Sequence, residues 1–317
     1  ITTYSGTNFF VPPQGDTASR PSSCPSGSLR FNTDSAKLEY FRGDEIGWQE
    51  IEAELAEPLG GGTGSNVGLG HRGLFKNSQR APSTGSYSQQ IDFLTISTLG
   101  NSQDFGDTSA QRSGNPGLSS RTRAIIGAGY GPSNQLEFVT IASTGDGTGF
   151  GDLNVKRSMG GGSGDATRGI IMGGGRSGGT RENAIEFITI ATLGDSQDFG
   201  DLVNEARTRT ANLSNSTRAV VAGGYTVDPA GDTTHIDFVT IQTKSNATDF
   251  GDLTGNKEGM GGASSEIRGL FAGGTGTINT IDYITIATTG NAADFGDMHT
   301  TRKNFGGFSD SHGGLAQ

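Results

Sequence analysis

Six-residue apolar blocks recur along the chain between polar, glycine-rich stretches: Ile91-Asp-Phe-Leu-Thr-Ile, Leu136-Glu-Phe-Val-Thr-Ile, Ile185-Glu-Phe-Ile-Thr-Ile, Ile236-Asp-Phe-Val-Thr-Ile and Ile281-Asp-Tyr-Ile-Thr-Ile. Within each block apolar side chains occupy both phases of the two-residue alternation, which is the pattern of a strand covered on both faces. A shorter apolar run led by arginine precedes every block, at Arg72, Arg123, Arg168, Arg218 and Arg268. A Phe-Gly-Asp element follows, its phenylalanine (Phe105, Phe150, Phe199, Phe250 or Phe295) always 12 residues beyond the block's aromatic. β-Branched and aromatic runs bounded by Gly, Asn, Asp and Ser predict strands and turns, and helical periodicity is absent.

The unit repeats about every 50 residues, a period that marks solenoids and propellers. Glycine-rich stretches such as Gly160-Gly-Gly and Gly259-Met-Gly-Gly, just before the arginine run, suit an innermost strand crowded near an axis. The predicted order is therefore inner glycine-rich strand, arginine strand, apolar block and outer Phe-Gly-Asp strand, four strands to a blade. This unit resembles the kelch repeat, with Gly-Gly closing the arginine strand and Phe in place of the kelch outer-strand Trp. The resemblance implies an all-β fold: a five-bladed kelch-like β-propeller over residues 70–317. The C-terminal Arg302-Lys-Asn-Phe-Gly-Gly-Phe-Ser-Asp-Ser aligns with the inner strands and is read as closing blade 1, which removes open edges. Gly60 to Leu69 is the rival donor.

Ahead of the repeats, residues 1–26, with Pro12, Pro13, Pro21 and Pro25, read as an extended arm that orders on a partner. Residues 27–59 read as a small β-meander with Leu29, Phe31, Leu38, Tyr40, Trp48 and Ile51 on one apolar face, and 60–69 as a glycine-rich linker. A meander this small buries too little surface to stand alone, so docking or homo-oligomerisation is expected to complete it. Phe31, Tyr40 and Trp48 are its expected attachment residues.

The pattern Ser28-Leu-Arg-Phe-Asn-Thr-Asp, then Leu38-Glu-Tyr and Trp48, resembles short modules of bacteriophage tail-fibre and other virion proteins. Arg268-Gly-Leu-Phe-Ala-Gly-Gly with Ile281-Asp-Tyr-Ile-Thr-Ile-Ala-Thr-Thr-Gly-Asn and Asp294-Phe-Gly-Asp resembles structural proteins of tailed phages of marine cyanobacteria. Together these imply a virion component on the particle exterior (a fibre, appendage or capsid decoration) that contacts other virion proteins through residues 1–59.

Charge narrows the partners. Lys plus Arg is 23 against 33 for Asp plus Glu, a net charge of −10 with no basic run, so a nucleic-acid partner is not expected. No apolar run approaches the roughly 20 residues of a membrane helix, and membrane insertion is not expected. Cys24 is the only cysteine, which excludes a disulfide framework and cysteine zinc sites. The histidines, His71, His235, His299 and His312, with no cysteine in the propeller half, cannot assemble the Cys, Tyr and His copper site of kelch-like oxidases. Ser143-Thr-Gly-Asp-Gly-Thr-Gly-Phe departs from a sialidase-type Asp box, and Arg42-Gly-Asp44 reads as a turn. No catalytic residue, metal or cofactor is expected.

The Phe-Gly-Asp elements read as structural: Phe fills the gap between blades, Gly permits positive φ, and Asp107, Asp152, Asp201, Asp252 and Asp297 accept backbone hydrogen bonds. The five arginines read as a ring of ion pairs with those aspartates, or as an attractor of acidic glycans. Spacing from arginine to aromatic varies as 21, 15, 19, 20 and 15 residues, and variable loops on a fixed scaffold are where binding residues are usually carried. Tyr87, Tyr130, Tyr225, Arg80, Arg176, Arg181, Asp228, Asp232 and His235 fall there, a set suited to a host-surface glycan. A free carbohydrate-binding or carbohydrate-active propeller, and a protein-binding kelch-type scaffold, are the alternatives to a displayed virion protein.

Overall fold

Short β-branched and aromatic runs broken by turn residues fold as strands throughout. The computed structural model describes residues 12–44, 46–51, 72–76, 87–95, 100–120, 122–130, 133–176, 179–203, 205–276, 278–304 and 306–307. Among them there is no α-helix; they form sheets of three to six strands, divided between two units, Ile1–Ala56 and Glu57–Gln317.

In the first unit β1 (Gln14–Gly15), β2 (Leu29–Asn32), β3 (Lys37–Phe41) and β4 (Trp48–Glu50) lie side by side, β1 parallel to β2 and the rest antiparallel. Residues 12–26 are not the free arm the sequence implies, because β1 is the edge strand of the sheet and the segment after it lies on one face. Arg20 pairs with Glu39 there, and the Trp48 indole N–H donates to the Pro21 carbonyl at 2.9 Å. Trp48 also leaves the expected apolar face. The turn, in which the Arg42 N–H donates to the Gly47 carbonyl, sets Phe41 opposite Trp48, so both point away from Tyr40. The division at residues 56 and 57 falls three residues short of the expected end of the meander, and the predicted linker 60–69 lies outside the described residues.

The second unit repeats one sheet. The first contains β5 (Arg72–Lys76), β6 (Gln90–Thr95) and β7 (Gln103–Asp107). The second contains β8 (Gly117–Ser119), β9 (Arg123–Gly127), β10 (Ser133–Thr140) and β11 (Thr148–Arg157). The third contains β12 (Gly161–Gly164), β13 (Arg168–Met172), β14 (Ala184–Thr189) and β15 (Gln197–Asp201). The fourth is enlarged by a hairpin: β16 (Arg207–Thr208), β17 (Ala211–Ser214), β18 (Arg218–Ala222), β19 (Tyr225–Val227), β20 (Ala230–Thr240) and β21 (Thr248–Lys257). The fifth contains β22 (Gly261–Ser264), β23 (Arg268–Ala272), β24 (Thr280–Thr285) and β25 (Ala293–Asp297). The second to fifth follow the order expected from sequence, glycine-rich, arginine, apolar block, Phe-Gly-Asp, all antiparallel, whereas the first shows only the last three of these among the described residues. Registers coincide as well, with every arginine opposite its block's threonine, as in Arg72↔Thr95 and Arg218↔Thr240.

Apolar cores lie between successive sheets, which explains the double-phase hydrophobicity. One unites Ile170, Phe187 and Phe199 of the third sheet with Ala219, Val221 and Val239 of the fourth; another unites Leu213, Phe238 and Phe250 with Phe271 and Ile284 of the fifth. In every sheet the Phe-Gly-Asp ring meets the block aromatic edge to face, at 5.8–6.3 Å between centroids. The arginine ring of ion pairs is not formed. Each arginine instead stacks on its own block's aromatic at 4.3–4.8 Å. Arg72, Arg123, Arg168 and Arg218 then donate to the carbonyls of Ile141, Ile190, Ile241 and Ile286 in the next sheet. Stacking leaves the guanidinium edge free for a carbonyl acceptor, which draws it away from the aspartates.

A second set of charges sits at the same junctions. Arg112 approaches Glu137 (3.7 Å), Arg157 pairs with Glu186, Arg207 with Asp237 (3.0 Å) and Lys257 with Asp282 (2.9 Å), each base after an outer Phe-Gly-Asp and each acid on the next sheet's block. Arg157 and Arg207 are 0% exposed. Burial lowers the proton affinity of both guanidinium groups, opposed by the Glu186 and Asp237 charges. A β-bulge at each Ile/acid or Leu/acid step, such as Ile185/Glu186, turns the acid toward the preceding sheet. Backbone and side-chain donors then fill its oxygens: Ser109 N–H and hydroxyl on Glu137, Asn154 N–H on Glu186, Thr254 N–H and hydroxyl on Asp282.

Removing one partner strands a buried charge. Arg207→Met is expected to destabilise the chain by about 3–5 kcal/mol, and Arg207→Met with Asp237→Leu by much less. Denaturant unfolding of both variants measures this; equal losses would mean that the ion pair is not the unit that matters.

Candidate functional site

The connections between arginine strand and apolar block vary in length because they leave the junctions, where packing fixes everything else. The Tyr87 and Tyr130 rings lie 5.7 Å apart, tilted by 52°, and Tyr130 is 53% exposed. In the fourth sheet the connection becomes the hairpin β19–β20, which sets Tyr225 opposite Asp232. The Arg181 guanidinium lies over the Tyr225 ring at 5.5 Å, held by the carbonyls of Gly179 and Thr180. Burial raises the Asp232 carboxyl above its ordinary value, reinforced by the charge of Glu258 and opposed by Arg209. Arg209 itself grips Glu258 with one nitrogen at 2.9 and 3.1 Å from the two oxygens, and Thr275 donates to Glu258 at 3.1 Å.

Of the sequence candidates, Tyr225 thus has Arg181 over its ring and Asp232 opposite it, and Arg209, Glu258 and Thr275, which the sequence did not single out, lie near Asp232. Arg209 precedes Thr210 and the inner strand at the same repeat position as Met159 and Gly259; that position, immediately ahead of each inner strand, was the available signal. The other candidates disperse. Arg176 is exposed and pairs with Glu182 at 2.8 Å; Asp228 lies at the hairpin tip; Arg80 falls outside the described residues. His235 stands between Glu205 (3.6 Å from Nε2) and Asp252 (3.5 Å from Nδ1), so the two carboxylates address opposite ring nitrogens and cannot converge on one ion.

A second concavity lies at the outer side of the second sheet. An open groove of about 340 Å³ is lined by Ser109, Gln135, Glu137, Gly149, Asp152 and Asp195 among others. Gly149 stands where the other repeats carry Asp104, Asp198, Asp249 and Asp294, so a missing side chain opens the space. Among the described residues no three His, Cys, Asp or Glu side chains are gathered as metal ligands would be. No family model and no curated protein matches this chain.

Because the folded protein holds the Asp232 proton more tightly than the unfolded chain, ionisation costs stability as pH rises through the folded value. Asp232→Asn should raise Tm at pH 7 by up to about 2 °C. The difference should vanish below the unfolded value near 3.8, where both forms are neutral. Thermal melts across pH 3–8 decide; a variant less stable at pH 7 would show that the carboxylate is favourably held.

Proposed function

We propose that this chain is a non-enzymatic structural protein of a tailed-phage virion, displayed on the particle exterior. In this reading a five-bladed kelch-like propeller, closed by the C-terminal segment, is carried on the N-terminal sheet and turns its variable connections toward host-surface glycans. Support for the ring comes from a conformation repeated once per sheet: Gly114, Met159, Arg209, Gly259 and Asn304 all have φ between +54° and +65°. Their backbones form a series in which the N–H of each of the last four donates to the carbonyl of the one before.

The observation that carries the attachment half is the inverted burial of the N-terminal sheet. Its polar face is the covered one, with Glu39 and Asn32 0% exposed and bound to Arg20 and to each other. Its apolar face is bare: Leu29 is 46%, Leu38 40% and Ile51 40% exposed, beside half-buried Phe31 and Tyr40. An apolar patch of that kind marks a protein contact, and other virion proteins or further copies of the chain fit it. Tyr225 with Arg181 and Asp232 supplies the ring face and hydrogen-bonding groups that a sugar requires.

The acidic groove at Gly149 favours a second reading, a free carbohydrate-binding propeller with no virion role. Immunogold labelling separates the two: an antiserum against the chain should decorate intact particles of the phage that encodes it, whereas particles without label would overturn the virion reading. In light scattering the full chain is expected to be oligomeric and Leu29→Glu with Leu38→Glu to be monomeric at unchanged Tm. An oligomer in both would place assembly elsewhere.

A further inference from the structure

Each of the four junctions between successive sheets is built from the same parts. The turn after one block docks on the previous Phe-Gly-Asp: Gly145, Gly194 and Gly290 N–H groups donate to the carbonyls of Phe105, Phe150 and Phe250. The next side chain, Asp146, Asp195, Asn246 or Asn291, accepts the N–H of Asp107, Asp152, Asp201 or Asp252. The glycine of the element cannot be replaced there, because a Cβ on Gly106, Gly151, Gly200 or Gly251 would collide with that turn's backbone. The four phenylalanines are accordingly only 2–3% exposed.

The fifth sheet ends differently. Phe295 is 49% exposed, departing from the gap-filling role its sequence position implies, and a Cβ on Gly296 would meet none of the described residues within 4 Å. Yet every complementary part is present on the first sheet: Gly100 and Asn101 in the turn, Asp92 in the block. The backbone beyond Phe295 is already seated as at the other junctions. The carbonyl of Arg302 accepts the Gly274 N–H, as those of Arg157, Arg207 and Lys257 accept Gly129, Gly174 and Gly224. Asn304 bonds to Gly259, and Gly307 abuts the Gly262 backbone of the fifth inner strand. The Arg302 side chain is exposed and, among the described residues, bonds to Thr300.

We propose that the bare edge of the fifth sheet is the docking surface for the first sheet of the same chain, where the Asn101 turn covers Phe295 and Arg302 pairs with Asp92. The proposal rests on the ring reading above and gives it a seam with named residues. His299 occupies the position of Ser109, Asn154 and Thr254, whose N–H groups donate to the paired acids at the other junctions. The occupant is the same chain and not a second copy because Arg302, Asn304 and Gly307 already lie beside the fifth sheet, Gly307 meeting Gly262 as Gly162 meets Gly117 where the next inner strand follows. Tethering gives the first sheet an effective concentration in the millimolar range, and head-to-tail docking of separate copies would leave an edge open for growth into fibres.

Disulfide trapping tests this on the full chain carrying Cys24→Ser. Asp107→Cys with Asp146→Cys reports a junction present in the structure; Asn101→Cys with Asp297→Cys reports the seam. Both pairs are expected to oxidise within one chain, giving a monomer-sized band on a non-reducing gel. A seam pair that fails while the first pair forms, or that links two chains, overturns the proposal; an interchain link would leave virion display standing with a second copy as the occupant. Independently, Arg302→Glu should lower Tm by about 2 °C or more and the exchanged pair Asp92→Arg with Arg302→Glu should recover most of it. No loss on Arg302→Glu also overturns the seam.

Discussion

Buried ion pairs between neighbouring sheets are the constraint on which the rest of the second unit depends. Taking a guanidinium and a carboxylate out of water is unfavourable unless geometry and remaining hydrogen bonds are complete. On the carboxylate side Glu186 meets that condition with Arg157, the Asn154 and Val155 N–H groups and the Ser196 hydroxyl, while the Nε atoms of Arg157 and Arg207 have no acceptor among the described residues. Satisfying it fixes three things together: the bulge that turns the acid, the approach of the preceding sheet's outer end, and the angle between sheets. The apolar cores and edge-to-face phenylalanine pairs then supply most of the burial, but they are tolerant of small slides where the ion pairs are not.

That division of labour frees the connections. Since junctions set sheet position, the loop between arginine strand and block carries no packing duty, and in the fourth sheet it extends into a hairpin that places Tyr225 and Asp232 side by side. The Gly149 groove shows the same freedom at the outer edge, where loss of one carboxylate side chain leaves the Asp152 N–H bond to Asp195 intact. Host-facing recognition, in the proposed function, is a property of these tolerant positions, and attachment a property of a separate sheet with an exposed apolar side.

Strand order within each repeat was legible because apolar residues in both phases allow only a doubly covered strand. The junction charges were equally regular yet passed unread. An acid precedes every block aromatic (Asp92, Glu137, Glu186, Asp237, Asp282), and a base follows every Phe-Gly-Asp phenylalanine by seven or eight residues (Arg112, Arg157, Arg207, Lys257, Arg302). Charged residues are taken as solvated by default, and nothing local in sequence says that two of them meet across sheets. The repeat arginines misled for a related reason: a guanidinium serves an aspartate, a ring or a carbonyl, and only the stacking distance to the block aromatic selects among them. In the N-terminal sheet a single turn decided parity. The link from Arg42 to Gly47 moved Trp48 to the covered face, and alternation counted through a turn cannot anticipate such a shift.

The most direct test of junctions as the organising element is native-state hydrogen exchange at the amides that are hydrogen-bonded across them. Ser109, Asn154 and Thr254 donate to the paired carboxylates, and Met159, Arg209, Gly259 and Asn304 form the inter-sheet series. The account predicts that all seven exchange with the slowest strand amides, through global unfolding alone. Junction amides that exchange by local opening while the strands stay protected would contradict it, leaving the sheets as independent units that merely adjoin.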